Sequence, residues 1–168
     1  MHPLFHPLYI EYCTYFNGNR DYFECHEVLE EYWKEIAPGE RNHPLVSYIQ
    51  VATGMYHWRR GNIVGAARII EKGMKIIKEQ RNSIFYEKID VDNFLFEIEH
   101  RLEQIKRNKA FTPFNIIITD NELKKMVDER IYNSAPLDEQ FILHKHTLRD
   151  RSEIIALRNK KLLNRDHL

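Results

Sequence analysis

The chain has 168 residues, in which 25 Lys and Arg balance 25 Asp and Glu. A chain of this length can bury a hydrophobic core without the help of disulfides or structural metals, so we expect one domain, or one domain with an appendage. The formal net charge is zero, which leaves no overall excess of cations to displace counterions from nucleic acid. This balance argues against a nucleic-acid partner.

The cysteines and the N-terminus indicate the compartment. Cys13 and Cys25 form no CxxC pair, which is typical of reduced thiols in a cytoplasm. Residues 1–16 lack the basic start, the continuous apolar stretch and the cleavage site of a signal peptide, and no apolar run has the length that crosses a bilayer. We therefore expect a soluble cytoplasmic protein without a membrane partner.

Two helices are predicted at the start of the chain. Apolar residues recur every three or four positions in residues 3–17, which begin with a proline and end at an Asn-Gly-Asn turn. Asp21 is followed three positions later by Glu24, the spacing of a capping box in which each side chain pairs with an exposed backbone N–H. The second helix should therefore span residues 22–36 and end before Pro38.

The next two helices are predicted to form a hairpin. Pro44 begins a third helix that ends at Gly61, and Asn62 caps a fourth. Because the joint between them is short, the two helices should be adjacent and antiparallel. The small residues at the start of the fourth helix allow a close approach, and its inward face reads Ile63, Ala66, Ala67, Ile70, Met74 and Ile77.

The second half of the chain predicts further helices and one extended segment. A fifth helix is capped by Asp90 or Asp92. Residues 112–118 are rich in β-branched side chains and contain a proline, so they should be extended and either cross the surface or pair with another extended piece. Thr119 and Glu122 form a second capping box that opens another helix. After that helix the apolar spacing weakens but still predicts additional C-terminal helices.

These segments predict an all-α fold, a compact multi-helix bundle of antiparallel helices with additional C-terminal helices. Residues 1–110 should form the bundle core. Residues 111–168 should form an extended connector and a helical extension, which belong to the same domain or to an appendage.

A group of polar residues falls on the apolar faces of the second and third helices. At about 100° per residue His26 points inward, Glu30 lies one turn further on and can reach it, and Glu27 lies more to the side. Gln50 and His57 flank the apolar stripe of the third helix. If these two helices pack together, both histidines enter one polar pocket within the core.

The pocket has a structural interpretation and a chemical one. Buried polar side chains normally pair with one another, so these residues can simply fix the register of the bundle. Alternatively, His26, Glu30 and His57 can hold a divalent metal or carry protons, with Glu27 as the general base. The segment HEVLE shares only its first two residues with the zinc-protease motif, because Glu30 stands where that motif has its second histidine.

The end of the third helix offers a third interpretation. Residues 56–62 combine aromatic side chains with Arg59 and Arg60, and they can bind phosphate or RNA with the help of the next helix N-terminus. Two arginines at a helix C-terminus are explained more simply by their favourable interaction with the helix dipole. The other histidines show no converging spacing and are expected at the surface: His2, His6, His43, His100, His144, His146 and His167.

The pocket residues also lie in a pattern that resembles a known family. The segments FNGNRDYFECHEVLEEYWKE and YIQVATGMYHWRRGNIVGAARIIEKG are similar to the domain of unknown function 309 family of bacteria and archaea, over about residues 9–77. The rest of the chain resembles an extension of Bacillus-type members. The resemblance implies a compact helical bundle and supplies no substrate, cofactor or catalytic residue. The matching residues are Phe16, Asn17, Asp21, His26, Glu27, Leu29, Glu30, Trp33, Gln50, Tyr56, His57, Gly61, Asn62 and Gly65.

We therefore expect a non-catalytic structural or interaction module that needs no cofactor and binds a protein partner or a second copy of itself. The alternative is a metal-dependent, hydrolase-like enzyme in which His26, Glu30 and His57 hold a divalent metal. The sequence identifies no small-molecule ligand. The candidate pocket consists of His26, Glu27, Glu30, Trp33, Gln50, Tyr56 and His57, with Arg60 and Asn62 at its rim.

Overall fold

The computed structural model describes residues 1–134, which contain six α-helices. These residues form no β-strand, and their helices pack around one hydrophobic core, so the all-α prediction is confirmed. The helices predicted beyond residue 134 lie outside the described residues. The six helices are α1 (Pro7–Asn17), α2 (Tyr22–Ile36), α3 (Pro44–Arg59), α4 (Ile63–Glu79), α5 (Val91–Lys106) and α6 (Asn121–Asn133), and short 3-10 helices occupy Pro3–Phe5 and Ile84–Tyr86.

The first predicted helix is interrupted at His6. Pro3–Phe5 forms a 3-10 helix, and α1 begins only at Pro7. Proline has no backbone N–H, and it disfavours helical geometry in the residue before it. The second His-Pro pair therefore ends one helix and begins another. The spacing of apolar residues does not reveal this break, because the spacing continues across it.

Three helices begin with the caps that the sequence predicts. Side-chain oxygens of Asp21, Asn62 and Asp90 each accept a hydrogen bond from the backbone N–H three residues later, at 3.2, 3.1 and 2.9 Å. A cap of this kind stabilises a helix by about 1 kcal/mol. The starts of α2, α4 and α5 are therefore fixed by local side chains, and α2 has the predicted bounds at both ends.

Histidines cap the remaining helices of the N-terminal half. His2, His6 and His43 each accept a hydrogen bond at Nδ1 from the backbone N–H two residues later, at 3.1, 3.1 and 3.0 Å. These side chains are partly buried, so they reach the surface but are less exposed than free surface residues. His100 is exposed as predicted, and the remaining histidines, His144, His146 and His167, lie outside the described residues.

The central helix of the bundle is α3, which packs against both α2 and α4. A Cβ atom at Gly54 would overlap the side chain of Ile70 in α4, and one at Gly73 of α4 would lie 3.1 Å from the backbone oxygen of Ser47. The two helices thus touch at positions that lack a side chain. A larger residue at either glycine forces them apart or displaces their neighbours.

Buried tyrosines fill the space between α1, α3 and the second 3-10 helix. The Tyr12 hydroxyl donates to the backbone oxygen of Tyr48 at 2.7 Å, and the Tyr48 hydroxyl donates to the backbone oxygen of Phe85 at 2.6 Å. The hydroxyls of Tyr86 and Ser47 pair at 2.6 Å. Because these hydroxyls have neutral partners, the rings can be buried without the cost of an unpaired polar group.

Residues 107–120 connect α5 to α6 without helical structure. Ile118 forms an isolated antiparallel bridge with Ile89. Of the two alternatives predicted for this segment, the structure therefore has the pairing with another extended piece. The amide of Asn17 donates to the backbone oxygen of Ile116 at 2.9 Å and accepts from its N–H at 2.8 Å. The connector is thereby fastened to the end of α1.

The last described helix, α6, packs against α1 and buries Leu123 and Val127. Its cap is Asp120, whose carboxylate accepts from the N–H of Leu123 at 2.9 Å. The prediction that Thr119 caps this helix in a box with Glu122 is therefore wrong by one residue. Thr119 and Asp120 are both residue types that cap helices, so the sequence pattern alone did not decide between them.

The cysteines and the lengths of the helices can both be compared with the sequence. Cys13 and Cys25 are free and buried, and burial raises the pKa of the Cys13 thiol to about 12. The thiol therefore stays protonated at neutral pH and is a poor nucleophile. Within residues 1–134 no helix is both long enough and apolar enough to cross a membrane.

Candidate functional site

The polar cluster of α2 consists of His26, Glu27, Glu30 and Lys34. Nε2 of His26 lies 2.9 Å from one carboxylate oxygen of Glu30, and Nδ1 lies 3.4 Å from a carboxylate oxygen of Glu27. Nζ of Lys34 lies 2.7 Å from the other oxygen of Glu30. Two carboxylates thus bracket the imidazole, and Lys34 holds Glu30 from the opposite side.

This arrangement differs from the predicted pocket in three ways. Glu30 contacts His26 as predicted, but Glu27 also faces the ring instead of pointing partly away. Lys34 completes the cluster, and its i,i+4 spacing from Glu30 was a signal that could have found it. The side chains of His26, Glu27 and Glu30 remain 33%, 32% and 27% exposed, so the cluster lies at the edge of the α2–α3 pair and not within the core.

The two carboxylates keep His26 protonated. Burial by itself lowers the pKa of His26, but the hydrogen bonds and negative charges of Glu27 and Glu30 outweigh it and raise the pKa to about 9. The hydrogen bond from His26 is in turn the main cause that lowers the pKa of Glu30 to about 2, with a further contribution from Lys34. At neutral pH the cluster therefore holds an imidazolium between ionised carboxylates.

A groove between α2 and α3 lies next to this cluster. Its volume is about 290 Å³, and its lining is formed by Glu30, Trp33, Arg41, Val46, Ile49 and Gln50. The indole N–H of Trp33 donates to the backbone oxygen of Glu40 at 3.0 Å, which fixes the ring at the groove. The side-chain oxygen of Gln50 is buried and has no hydrogen-bond partner. The groove thus combines three of the predicted pocket residues, Glu30, Trp33 and Gln50.

Tyr56 and Arg60 lie at the other end of the same helix pair. The Tyr56 ring packs against Phe23, with centroids 5.9 Å apart, and the Arg60 guanidinium lies 5.2 Å from the Tyr56 centroid. Arg59 lies 4.8 Å from the ring of Tyr22. Both arginines therefore stack on aromatic side chains of the fold itself.

His57 and Asn62 have different environments from His26. Burial is the main cause that lowers the pKa of His57, and the positive charges of Arg60 and His26 lower it further. The two histidines are thus close enough to influence one another, but neither of them lines the groove as it is seen in residues 1–134. Asn62 is exposed and caps α4.

The chemistry of the cluster bears on the metal hypothesis. An imidazole binds a metal through the lone pair of a neutral ring, whereas His26 directs both nitrogens at carboxylates. In the described part of the chain, no three His, Cys, Asp or Glu side chains are arranged to hold a metal ion. The contacts of His26, Glu30 and Lys34 are those of a network of ion pairs.

Comparisons with known proteins support the resemblance seen in the sequence. Residues 9–69 match a family model described as Domain of unknown function (DUF309). The uncharacterized protein YpuF of Bacillus subtilis (strain 168) is 34% identical over 164 residues, which cover 94% of each of the two chains. No solved structure matches the chain. The chain therefore belongs to the DUF309 family.

Proposed function

We propose that this protein is a non-catalytic interaction module that binds a protein partner at the groove between α2 and α3. The observation that carries this proposal is the pairing of His26, whose two ring nitrogens face carboxylates at 2.9 and 3.4 Å. A general base or a metal ligand needs a free lone pair on a neutral ring. His26 is instead engaged in holding two carboxylates along one face of α2.

The size and lining of the groove support a protein partner. A volume of about 290 Å³ is at the lower end of small-molecule sites, which occupy about 300–1,000 Å³, and it suits one or two side chains of another protein. Val46 and Ile49 supply apolar contact area, while Glu30 and Arg41 place opposite charges beside it. Apolar contact with charged surroundings is typical of protein interfaces.

A site-specific crosslink tests the groove. A photoreactive residue in place of Arg41 should capture one protein of defined mass in cells that produce the chain naturally, and Val46→Lys in the same protein should abolish the capture. The control carries the photoreactive residue at Arg68, which is exposed on α4. Equal capture at the two positions, or capture that survives Val46→Lys, contradicts a partner at this groove.

Metal analysis separates this proposal from the enzyme alternative. Protein purified without an affinity tag should contain no stoichiometric divalent ion, and added Mn²⁺, Zn²⁺ or Mg²⁺ should leave the melting temperature unchanged. A stoichiometric ion that is lost in His26→Gln and retained in His100→Gln would overturn the non-catalytic proposal. His100 is a suitable control because its side chain is exposed on α5, away from the cluster.

A further inference from the structure

His2, His6 and His43 each cap a helix through Nδ1. We propose that the cap at His43 is pH-sensitive: it holds the first turn of α3 when the ring is neutral and releases it when the ring is protonated. Each histidine begins a His-Pro-Leu tripeptide, a sequence that occurs three times in the chain. The three tripeptides adopt the same local structure in three different surroundings. This inference concerns the ends of helices and does not depend on the proposed partner groove.

The hydrogen bonds specify the protonation state of each cap. Nδ1 of each histidine accepts from the backbone N–H of Leu4, Leu8 or Leu45 at 3.0 to 3.1 Å, so that nitrogen carries no proton. The neutral ring therefore has its proton on Nε2. A second proton at Nδ1 would set two donors against each other and would place a positive charge at a helix N-terminus, where the dipole disfavours it.

Proline leaves the leucine N–H as the first donor of each of these helices. The residue after each histidine is a proline, which supplies the favoured backbone angle for the first helical position but no N–H. The leucine N–H is thus the first backbone donor of each helix, and the imidazole is its partner. Loss of the imidazole acceptor leaves that donor without a partner in the first turn.

A carboxylate lies near the outer ring nitrogen at two of the caps. Nε2 of His2 lies 3.6 Å from Glu87, and Nε2 of His6 lies 3.6 Å from Glu35. The ring of His6 also stacks on Tyr32 at 3.9 Å, and Lys88 lies above Phe5, whose ring meets that of His2 edge to face. Both of these caps therefore have a carboxylate 3.6 Å from the outer ring nitrogen.

The surroundings of His43 differ from those of the other two caps. Its ring meets Phe85 edge to face at 4.6 Å, and Glu40 in the preceding loop is the charged group that acts on it. The side chain of Gln80, at the end of α4, bonds to the backbone oxygen of Asn42 and adds no charge. Burial, the larger effect, lowers the pKa of His43 from its ordinary 6.5, although Glu40 raises it. A lowered pKa means that the cap stabilises the fold fully above pH 6.5 and that this contribution is lost as the pH falls further.

Hydrogen exchange of the full chain tests the caps directly. Between about pH 7.5 and about pH 5, the range in which histidine titrates, we expect the protection factor of the Leu45 amide to fall about fivefold, the equivalent of one cap of about 1 kcal/mol. In His43→Asn, which keeps a capping acceptor that does not titrate, the same factor should change by less than about twofold. The control His100→Asn should behave like the unmodified chain.

Imidazole NMR supplies a second measurement that needs no variant. At neutral pH the nitrogen resonances of His43 should show an unprotonated Nδ1 and a protonated Nε2. A proton on Nδ1 of His43 at neutral pH overturns the proposal. An equal loss of Leu45 protection in the unmodified chain and in His43→Asn overturns it as well.

Discussion

The two faces of α2 stabilise the protein by different means. The inner face buries Tyr22, Cys25 and Leu29 completely, and it depends on apolar contact. The outer face carries His26, Glu30 and Lys34, which remain roughly a quarter to a third exposed and pair by charge. Ion pairs this close to solvent contribute less free energy than buried apolar side chains, but unlike those side chains they respond to pH. The apolar face of α2 therefore provides most of its contribution to the stability of the fold, and the polar face provides the response to pH.

The largest expected effect is on the inner face. Leu29→Ala removes a side chain with no exposed surface and should lower the free energy of unfolding by about 2–5 kcal/mol, since it leaves a cavity between α2 and its neighbours. Urea denaturation of the full chain measures the change. Glu31→Ala on the exposed side of the same helix is the matched control and should remain within about 0.5 kcal/mol. If Leu29→Ala lowers the free energy of unfolding by less than His26→Ala does, the polar face and not the apolar face contributes more to stability.

Removal of His26, the central cation of the polar cluster, should have the second-largest effect on stability. His26→Ala leaves the carboxylates of Glu27 and Glu30 beside one another without the imidazolium, and we expect a loss of about 1–3 kcal/mol. Thermal and urea unfolding at neutral pH measure it, with His100→Ala as the control. An unchanged melting temperature would count against a structural role of His26 and would favour a functional one.

The charge pairing predicts a pH response of opposite sign at the two partners. The raised pKa of His26 means that its contribution is complete below pH 6.5 and is lost as the pH rises through about 9. The lowered pKa of Glu30 means that its contribution is complete above pH 4.5 and is lost as the pH falls through about 2. The polar cluster should therefore stabilise the fold most between these two ordinary values.

An NMR titration of His26 isolates this pairing. Glu30→Gln should lower the pKa of His26 from about 9 toward 6.5, because the hydrogen bond to a carboxylate and its charge are both removed. Glu31→Gln changes the same charge on the exposed side of the helix and should have little effect. If both variants shift the titration equally, long-range charge and not the contact at 2.9 Å determines the pKa.

The smallest effect is expected at the end of the cluster. Lys34→Ala removes an ion pair of 2.7 Å between partly exposed groups, and such i,i+4 pairs contribute at most about 0.5 kcal/mol. The loss should decrease further in high salt. A loss as large as that of His26→Ala would show that Lys34 is a central member of the cluster and not a peripheral one.

Periodicity and cap residues predicted most of the fold because both act locally. The bounds of α2 follow from Asp21 and the Pro-Gly turn, and the start of α4 follows from Asn62. The break at His6 was missed because apolar spacing continues across it, although the repeated His-Pro-Leu tripeptide carries the signal. The choice between Thr119 and Asp120 depends on how the connector packs, which no local pattern contains.

The candidate site was predicted less completely than the fold. The contact of His26 with Glu30 follows from helical spacing within α2 alone, and the structure contains this contact. The depth of the cluster, and the fact that Gln50 but not Tyr56 lines the groove, depend on how α2 lies against α3. A sequence pattern assigns a residue to a face of its own helix, but the surroundings of that face are set by tertiary packing.

The double hydrogen bond between Asn17 and Ile116 also has a consequence for synthesis. It joins residues 99 positions apart, and it lies where α6 packs on α1. During translation α1 leaves the ribosome first, yet its surface facing α6 stays uncovered until the connector and α6 have followed. The first helix of the chain thus completes its packing only when most of the remaining described residues have been made.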